Sequence, residues 1–361
     1  MEENKRSSHI GFKIFIIGFL ILSMIFLKEE NQNKIIGFLD SLWGKEKVLK
    51  LTDSFEGQED IISMNVYDGN IVVWRNNKIS FLKSDGTLAL EKEFNFVEPS
   101  VYYGDKYIYI MDNSTGDIYS LDKKGQTVDR LQLNKEIYNI KETNENLIYH
   151  IKTFDLESIN ILNKNKVLIG NHSFENENIL SYATNKNGNM TLVSLLDLKG
   201  DMIKSHLYCY GENNEKLNSL SFQGEILLFL EFTSKEEIVA LTDKGLYFIK
   251  DGKIMWKKQF DIIKDICVWD NKIYILYSNY LETIDFTGRV ENKIGFAEEY
   301  NKIVAFDKRI LVYGNNNMIL VEGDKQILKH SEGIIEAWGY KDQIFLWGTD
   351  EMKTYKISSK K

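Results

Sequence analysis

Residues 238–260 read IVALTDKGLYFIKDGKIMWKKQF. Two short apolar and aromatic runs, IVAL and GLYFI, flank a polar turn, and a Lys-Asp-Gly-Lys turn at 250–253 leads into a third run. Runs of this length, rich in β-branched and aromatic residues and cut by Asp, Asn and Gly, read as strands joined by tight hairpins.

The first run recurs eight times: IVVW from Ile71, IYIM from Ile108, IYHI from Ile148, TLVS from Thr191, IVAL from Ile238, IYIL from Ile273, ILVY from Ile310 and IFLW from Ile344. The starts lie 34 to 47 residues apart, close to the period of about 40 to 50 of propeller blades. Helical solenoids share that period, but no unit here carries a long stretch of helical periodicity. Each unit continues through a third strand into a turn that admits positive φ: SDGT at 84–87, KKGQ at 123–126, NKNK at 163–166, KDGK at 250–253, FTGR at 286–289 and EGDK at 322–325. Gly and Asn adopt such angles at little steric cost, so a fourth strand follows each turn.

The expected fold is therefore all-β: a β-propeller of eight four-stranded blades over residues 47–358, after an N-terminal transmembrane helix. Seven blades is the alternative, with the irregular fourth unit at 178–222 packing differently. The last unit offers three strands, ending in MKTYKI at 352–357, so KVLKLTDSF at 47–55 is expected to supply its outermost strand and close the ring.

GLYFIKDGKIMWKKQF at 245–260, with GDIYSLDKKGQTV at 116–128, resembles the repeat of PQQ-like and WD40-like propellers. A single membrane segment followed by a propeller also resembles an uncharacterised family of membrane-anchored propellers from Gram-positive spore formers, which implies no functional residues.

That membrane segment is IGFKIFIIGFLILSMIFL at 10–27, with Lys13 as its one charge. Eighteen residues just suffice to cross a bilayer. Lys5 and Arg6 in the tail 1–9 predict an N-terminus inside and a propeller outside the cell membrane, in a single pass. A cleavable signal peptide and the reversed topology are the rivals. Between anchor and propeller, residues 28–46 read as a juxtamembrane stem or interfacial helix, with Ile35, Ile36, Leu39, Leu42 and Trp43 near helical spacing.

A formal charge of −8 argues against nucleic acid as partner. Catalytic and metal motifs are missing: SDGTLAL at 84–90 is not a sialidase Asp box, no D-x-D-x-D-G loop occurs, and neither Gly-x-Ser-x-Gly nor a P-loop is found. The five histidines form no zinc pattern, so neither metal nor cofactor is expected. Cys209 and Cys267 sit among apolar neighbours in different units and read as free buried thiols. Trp74 and Trp347 share a recurrent position three residues after the start of the second strand and read as core. Trp338, aligned with Cys267 and Val304, does likewise, whereas Trp269, Tyr67, Phe306 and Tyr340 read as first-strand packing or turn-flanking residues.

In a propeller, the loops joining second to third strands and fourth strands to the next blade share one face. The expected ligand or partner face carries Asp112, Asn113 and Asp155, with Asp197, Lys199, Asp201 and Lys204 from the long loop of unit four. Together these features predict a monomeric, non-catalytic module that binds or assembles with an envelope protein. A cell-envelope enzyme of glycan or quinone type, or a sensor of small ligands, is the alternative; facing carboxylates with raised pKa values at the channel mouth would favour the enzyme.

Overall fold

The computed structural model describes residues 47–57, 60–143 and 146–359. The expected tail, anchor and stem, residues 1–46, lie outside the described residues. Among the described residues, no helix is long and apolar enough to cross a membrane. Residues 50–356 form one compact unit, and residues 1–49 with 357–361 group separately.

Thirty-two strands build eight antiparallel four-stranded sheets. Blades 1 to 7 span 63–93, 99–132, 139–175, 178–223, 227–259, 263–295 and 302–331; blade 8 joins 336–359 to the strand Lys47–Glu56. The fourth unit is a complete blade, which rules out seven. Second strands such as Ile108–Asp112 and Ile238–Thr242 are buried along their whole length. Both faces of each sheet are covered by neighbouring blades, which is why these strands read as unbroken apolar runs rather than alternating ones. Fourth strands lie outermost and alternate exposed with half-buried positions, as in Leu88–Glu93.

The core accordingly lies between blades. Trp74 and Phe81 of blade 1 pack with Ile108, Ile110 and Leu121 of blade 2. Val239, Leu241 and Phe248 of blade 5 pack with Ile273, Ile275 and Ile284 of blade 6. Met64 and Ile71 meet Phe345 and Met352 of blade 8, so the ring closes through apolar packing as well as through the strand Lys47–Glu56, whose Thr52 hydroxyl donates to the Thr354 carbonyl at 2.9 Å.

Three expectations need correction. Trp338, Cys267 and Val304 are only half-buried, and Trp347 also keeps some exposure, while Trp74 is fully buried. First strands are innermost and border the central channel, so their residues lack cover on one side. Trp269 ends such a strand and is exposed. In the turn NKNK, positive φ falls on Lys166 (φ 60) rather than on an Asn.

The joint between blades 3 and 4 is the most polar. His172 of blade 3 is buried against Tyr210 of blade 4, rings 4.1 Å apart, and burial pushes its pKa down to about 4. His150, also buried, contacts Glu157 at 3.1 Å; burial lowers its pKa, and Glu157 opposes that shift. An unfolded histidine takes up its proton near pH 6.5, before the folded one does. The stability due to neutral His172 is therefore complete above about pH 6.5 and falls progressively towards pH 4. His172→Phe, which keeps the stack, is expected to shrink the drop in melting temperature across that window. An unchanged drop would assign the acid lability elsewhere.

Candidate functional site: the loop face

Each sheet runs up and down, so its first-to-second turn and third-to-fourth hairpin lie on one face of the ring. Its second-to-third loop and the connection to the next blade lie on the other. The two faces differ in chemistry. On the hairpin face the first-to-second turns are polar, among them Asp68–Gly69, Asp105–Lys106, Asp307–Lys308 and Lys341–Asp342, while Trp269 beside Asp270–Asn271 and Val167 in the third-to-fourth hairpin of blade 3 are exposed.

The loop face carries large exposed apolar side chains. Five blade-to-blade connections present one each: Ile62, Val97, Tyr138, Ile262 and Ile335. Phe154, fully exposed, stands in the second-to-third loop of blade 3, and Leu198, Met202 and Ile203 stand in that of blade 4. Their backbones are held in place. The amides of Ile62, Tyr138 and Ile335 donate to the carbonyls of Trp74, His150 and Trp347 at 2.7–3.0 Å, tying each connection to its own second strand. Ile262 has φ 53. That angle is an outlier for a β-branched residue, and such strain concentrates at functional sites.

All seven residues expected from sequence belong to this face, in different capacities. Asp112 is buried: its carboxylate accepts from the amides of Val97 (3.0 Å), Glu98 (3.3 Å) and Ser114 (3.1 Å) and from the Ser114 hydroxyl (2.6 Å). Burial alone would raise its pKa, but these hydrogen bonds outweigh it and hold the carboxyl below the usual range. Asp112 is therefore a bracket that positions Val97, not a contact residue. Asn113 acts similarly, accepting from the Ser100 hydroxyl at 2.6 Å and bonding through its backbone to Glu98 and Ile137. Asp197 is half-buried, accepts from the Lys199 amide at 2.8 Å and reaches His206 at 3.4 Å; Lys204 is half-buried as well. Asp155, Lys199 and Asp201 are exposed beside Phe154, Leu198 and Met202.

The sequence reading missed the apolar residues. Their signal was an apolar pair ahead of the first strand: Ile61-Ile62, Ile137-Tyr138, Ile262-Ile263 and Ile334-Ile335. Ile137 and Ile334 turn inward while Tyr138 and Ile335 turn out, and nothing local to the pair says which does which.

The channel is a second place of interest. Lys141 of blade 3 and Glu231 of blade 5 sense each other although blade 4 lies between them, which places both at the channel. Burial pushes the Glu231 carboxyl up to about 7, and Lys141 opposes it. Burial also raises Glu336 and Asp265, with Lys302 opposing both. A lysine is the charge that opposes each of these shifts, and Cys267 senses both Glu231 and Asp265. Among the described residues, no group of three or more His, Cys, Asp and Glu side chains is placed to hold a metal ion.

Residues 45–333 match a family described as "Family of unknown function (DUF5711)". No curated protein matches the chain. Among solved structures, BamB from Moraxella catarrhalis superposes with TM-score 0.55 at 10% identity, over 86% of this chain and 100% of that one. The C-terminal WD40 domain of Sif2 gives 0.62 at 11% identity, over 87% and 99%. Sqt1 from Chaetomium thermophilum gives 0.58 at 9%, over 87% and 100%. At such identities the likeness is one of fold: an eight-bladed ring with WD40-like and BamB-like relatives in shape.

Proposed function

Because the chain belongs to this family of unknown function, we propose a role from its own geometry: a non-catalytic, membrane-anchored propeller outside the cell membrane that binds an envelope protein through its loop face as one copy. One observation carries the proposal, the apolar crown of Ile62, Val97, Tyr138, Phe154, Ile262 and Ile335 held on tied loops around one face. Exposed apolar patches rimmed by polar groups are a hallmark of protein–protein contact, and their cost in solubility is otherwise hard to explain. Residues 10–27 are the anchor in this proposal.

In-cell crosslinking and affinity recovery of the full-length protein should yield one envelope protein at near-equal amount. The triple variant Val97→Ser, Phe154→Ser, Ile262→Ser should lower that recovery at least tenfold while leaving the melting temperature nearly unchanged, because all three side chains are exposed. Trimming the loop 198–203 should weaken recovery as well. Recovery unaffected by the triple variant would refute the crown as the contact. A second reading, an envelope enzyme working in the channel, draws on Glu231, whose carboxyl near 7 suits proton transfer at neutral pH. Glu231→Gln leaves partner recovery intact under the first reading and abolishes turnover of envelope glycan under the second.

A further inference from the structure

In blades 1 to 7, the pairing of third with fourth strand shifts register at one point. In blades 1 to 6 the residue pair just before the shift faces the third-to-fourth hairpin of the following blade, forming a repeated seat. At the joint of blades 1 and 2 the pair Phe81/Leu90 fills this seat under Gly125. At the joint of blades 5 and 6 the pair Phe248/Trp256 fills it under Gly288, the rings stacked 5.5 Å apart and 5° from parallel. Trp256 Nε1 there donates to the carbonyl of Phe286, two residues before that glycine, at 3.0 Å.

At the joint of blades 4 and 5 the equivalent pair is Cys209/Asn218, under Gly252. Both side chains are small, and the missing ring leaves a cavity of about 210 Å³. Met190, Leu207, Leu220, Ile238 and Ile249 line it with Cys209, and the charged residues Lys235, Glu236, Glu237 and Asp251 border the same space. Lys250, which stands to Gly252 as Phe286 stands to Gly288, also borders it. The Lys250 ammonium is engaged by Glu237 at 2.9 Å, so the mouth carries no unopposed charge from that residue. Blades 2 and 3 repeat the situation with Ser120/Asp129, but there the hairpin answers with an ion pair, Lys166 to Asp129 at 3.2 Å.

We infer that the cavity between blades 4 and 5 is a ligand site for a small planar aromatic molecule of indole size with one hydrogen-bonding group, seated as Trp256 is seated one joint further on. An apolar cavity of about 150 Å³ in a protein interior accepts benzene, so the available space is adequate for a larger ring. The Asn218 side-chain amide, which lies against Gly252, supplies a hydrogen-bonding partner at the seat.

Indole itself is the probe, titrated calorimetrically into the full-length protein. Saturable one-to-one binding is expected, weakened at least tenfold by Cys209→Phe and by Asn218→Trp, which place on the chain the rings that blade 5 carries. Two variants are used so that a folding failure in one leaves the other. In the unmodified protein, saturating indole should slow alkylation of Cys209 by N-ethylmaleimide at least fivefold, read by peptide mass spectrometry, while Cys267 in the channel reacts at its original rate. No saturable binding, binding kept by both folded variants, or equal protection of the two cysteines would each overturn the site.

Discussion

Trp74→Ala is expected to lower the unfolding free energy by about 3–5 kcal/mol, the range for deleting a large buried aromatic. Trp74 is 1% exposed, sits mid-strand in blade 1, and packs on Phe94 at 6.2 Å and on the apolar residues of blade 2. Its removal empties part of a joint between blades, and a ring gives the two sheets little freedom to collapse into the gap while their other neighbours hold them. Trp74→Phe is expected to cost much less. The indole Nε1–H of Trp74 is buried with no acceptor, and an unsatisfied buried donor carries a penalty of about 1–3 kcal/mol that phenylalanine does not incur. Urea unfolding checks both values. If Phe proves as damaging as Ala, the indole edge is essential to the packing and the account of the orphan donor is wrong.

Gly339→Ala is the second large effect. Gly339 lies in the innermost strand of blade 8, and a Cβ built there would overlap the ring of Phe306, a residue 5% exposed in the innermost strand of blade 7. Its φ is ordinary, so the glycine is needed for space rather than for backbone freedom. Overpacking of this kind costs about 1–3 kcal/mol or more, since the two strands must separate for the methyl group to fit. Phe306→Leu, mildly destabilising alone, should recover part of the loss in the Gly339→Ala background, because the two changes share one space. Strictly additive losses would show that the strain is relieved elsewhere.

The blade pattern was legible because its determinants are local. Eight apolar tetrapeptides mark eight second strands, and hairpins at Gly86, Gly125, Gly252 and Gly288 take the positive φ that their turns require. Lys47–Glu56 was readable as the closing strand because a ring of four-stranded blades leaves one place unfilled. The partner face was legible only as a place. Asp112 and Asn113 read from the sequence as polar loop residues, yet Asp112 accepts from the connection ahead of its blade and Asn113 from Ser100 in the blade's first strand. Burial of that sort depends on the preceding blade, which the local sequence does not contain.

Sequence alone determined the all-β repeat and the face on which the connecting loops gather, because strand length, apolar runs and turn chemistry are written within a few residues. Tertiary structure alone decided that the fourth unit is a full blade, which isoleucine of each pair points outward, that Lys141 and Glu231 influence each other across blade 4, and that Cys209 and Asn218 leave a seat empty. Each of these depends on what a neighbouring blade, some forty residues away or the full ring away, presses against the same side chain.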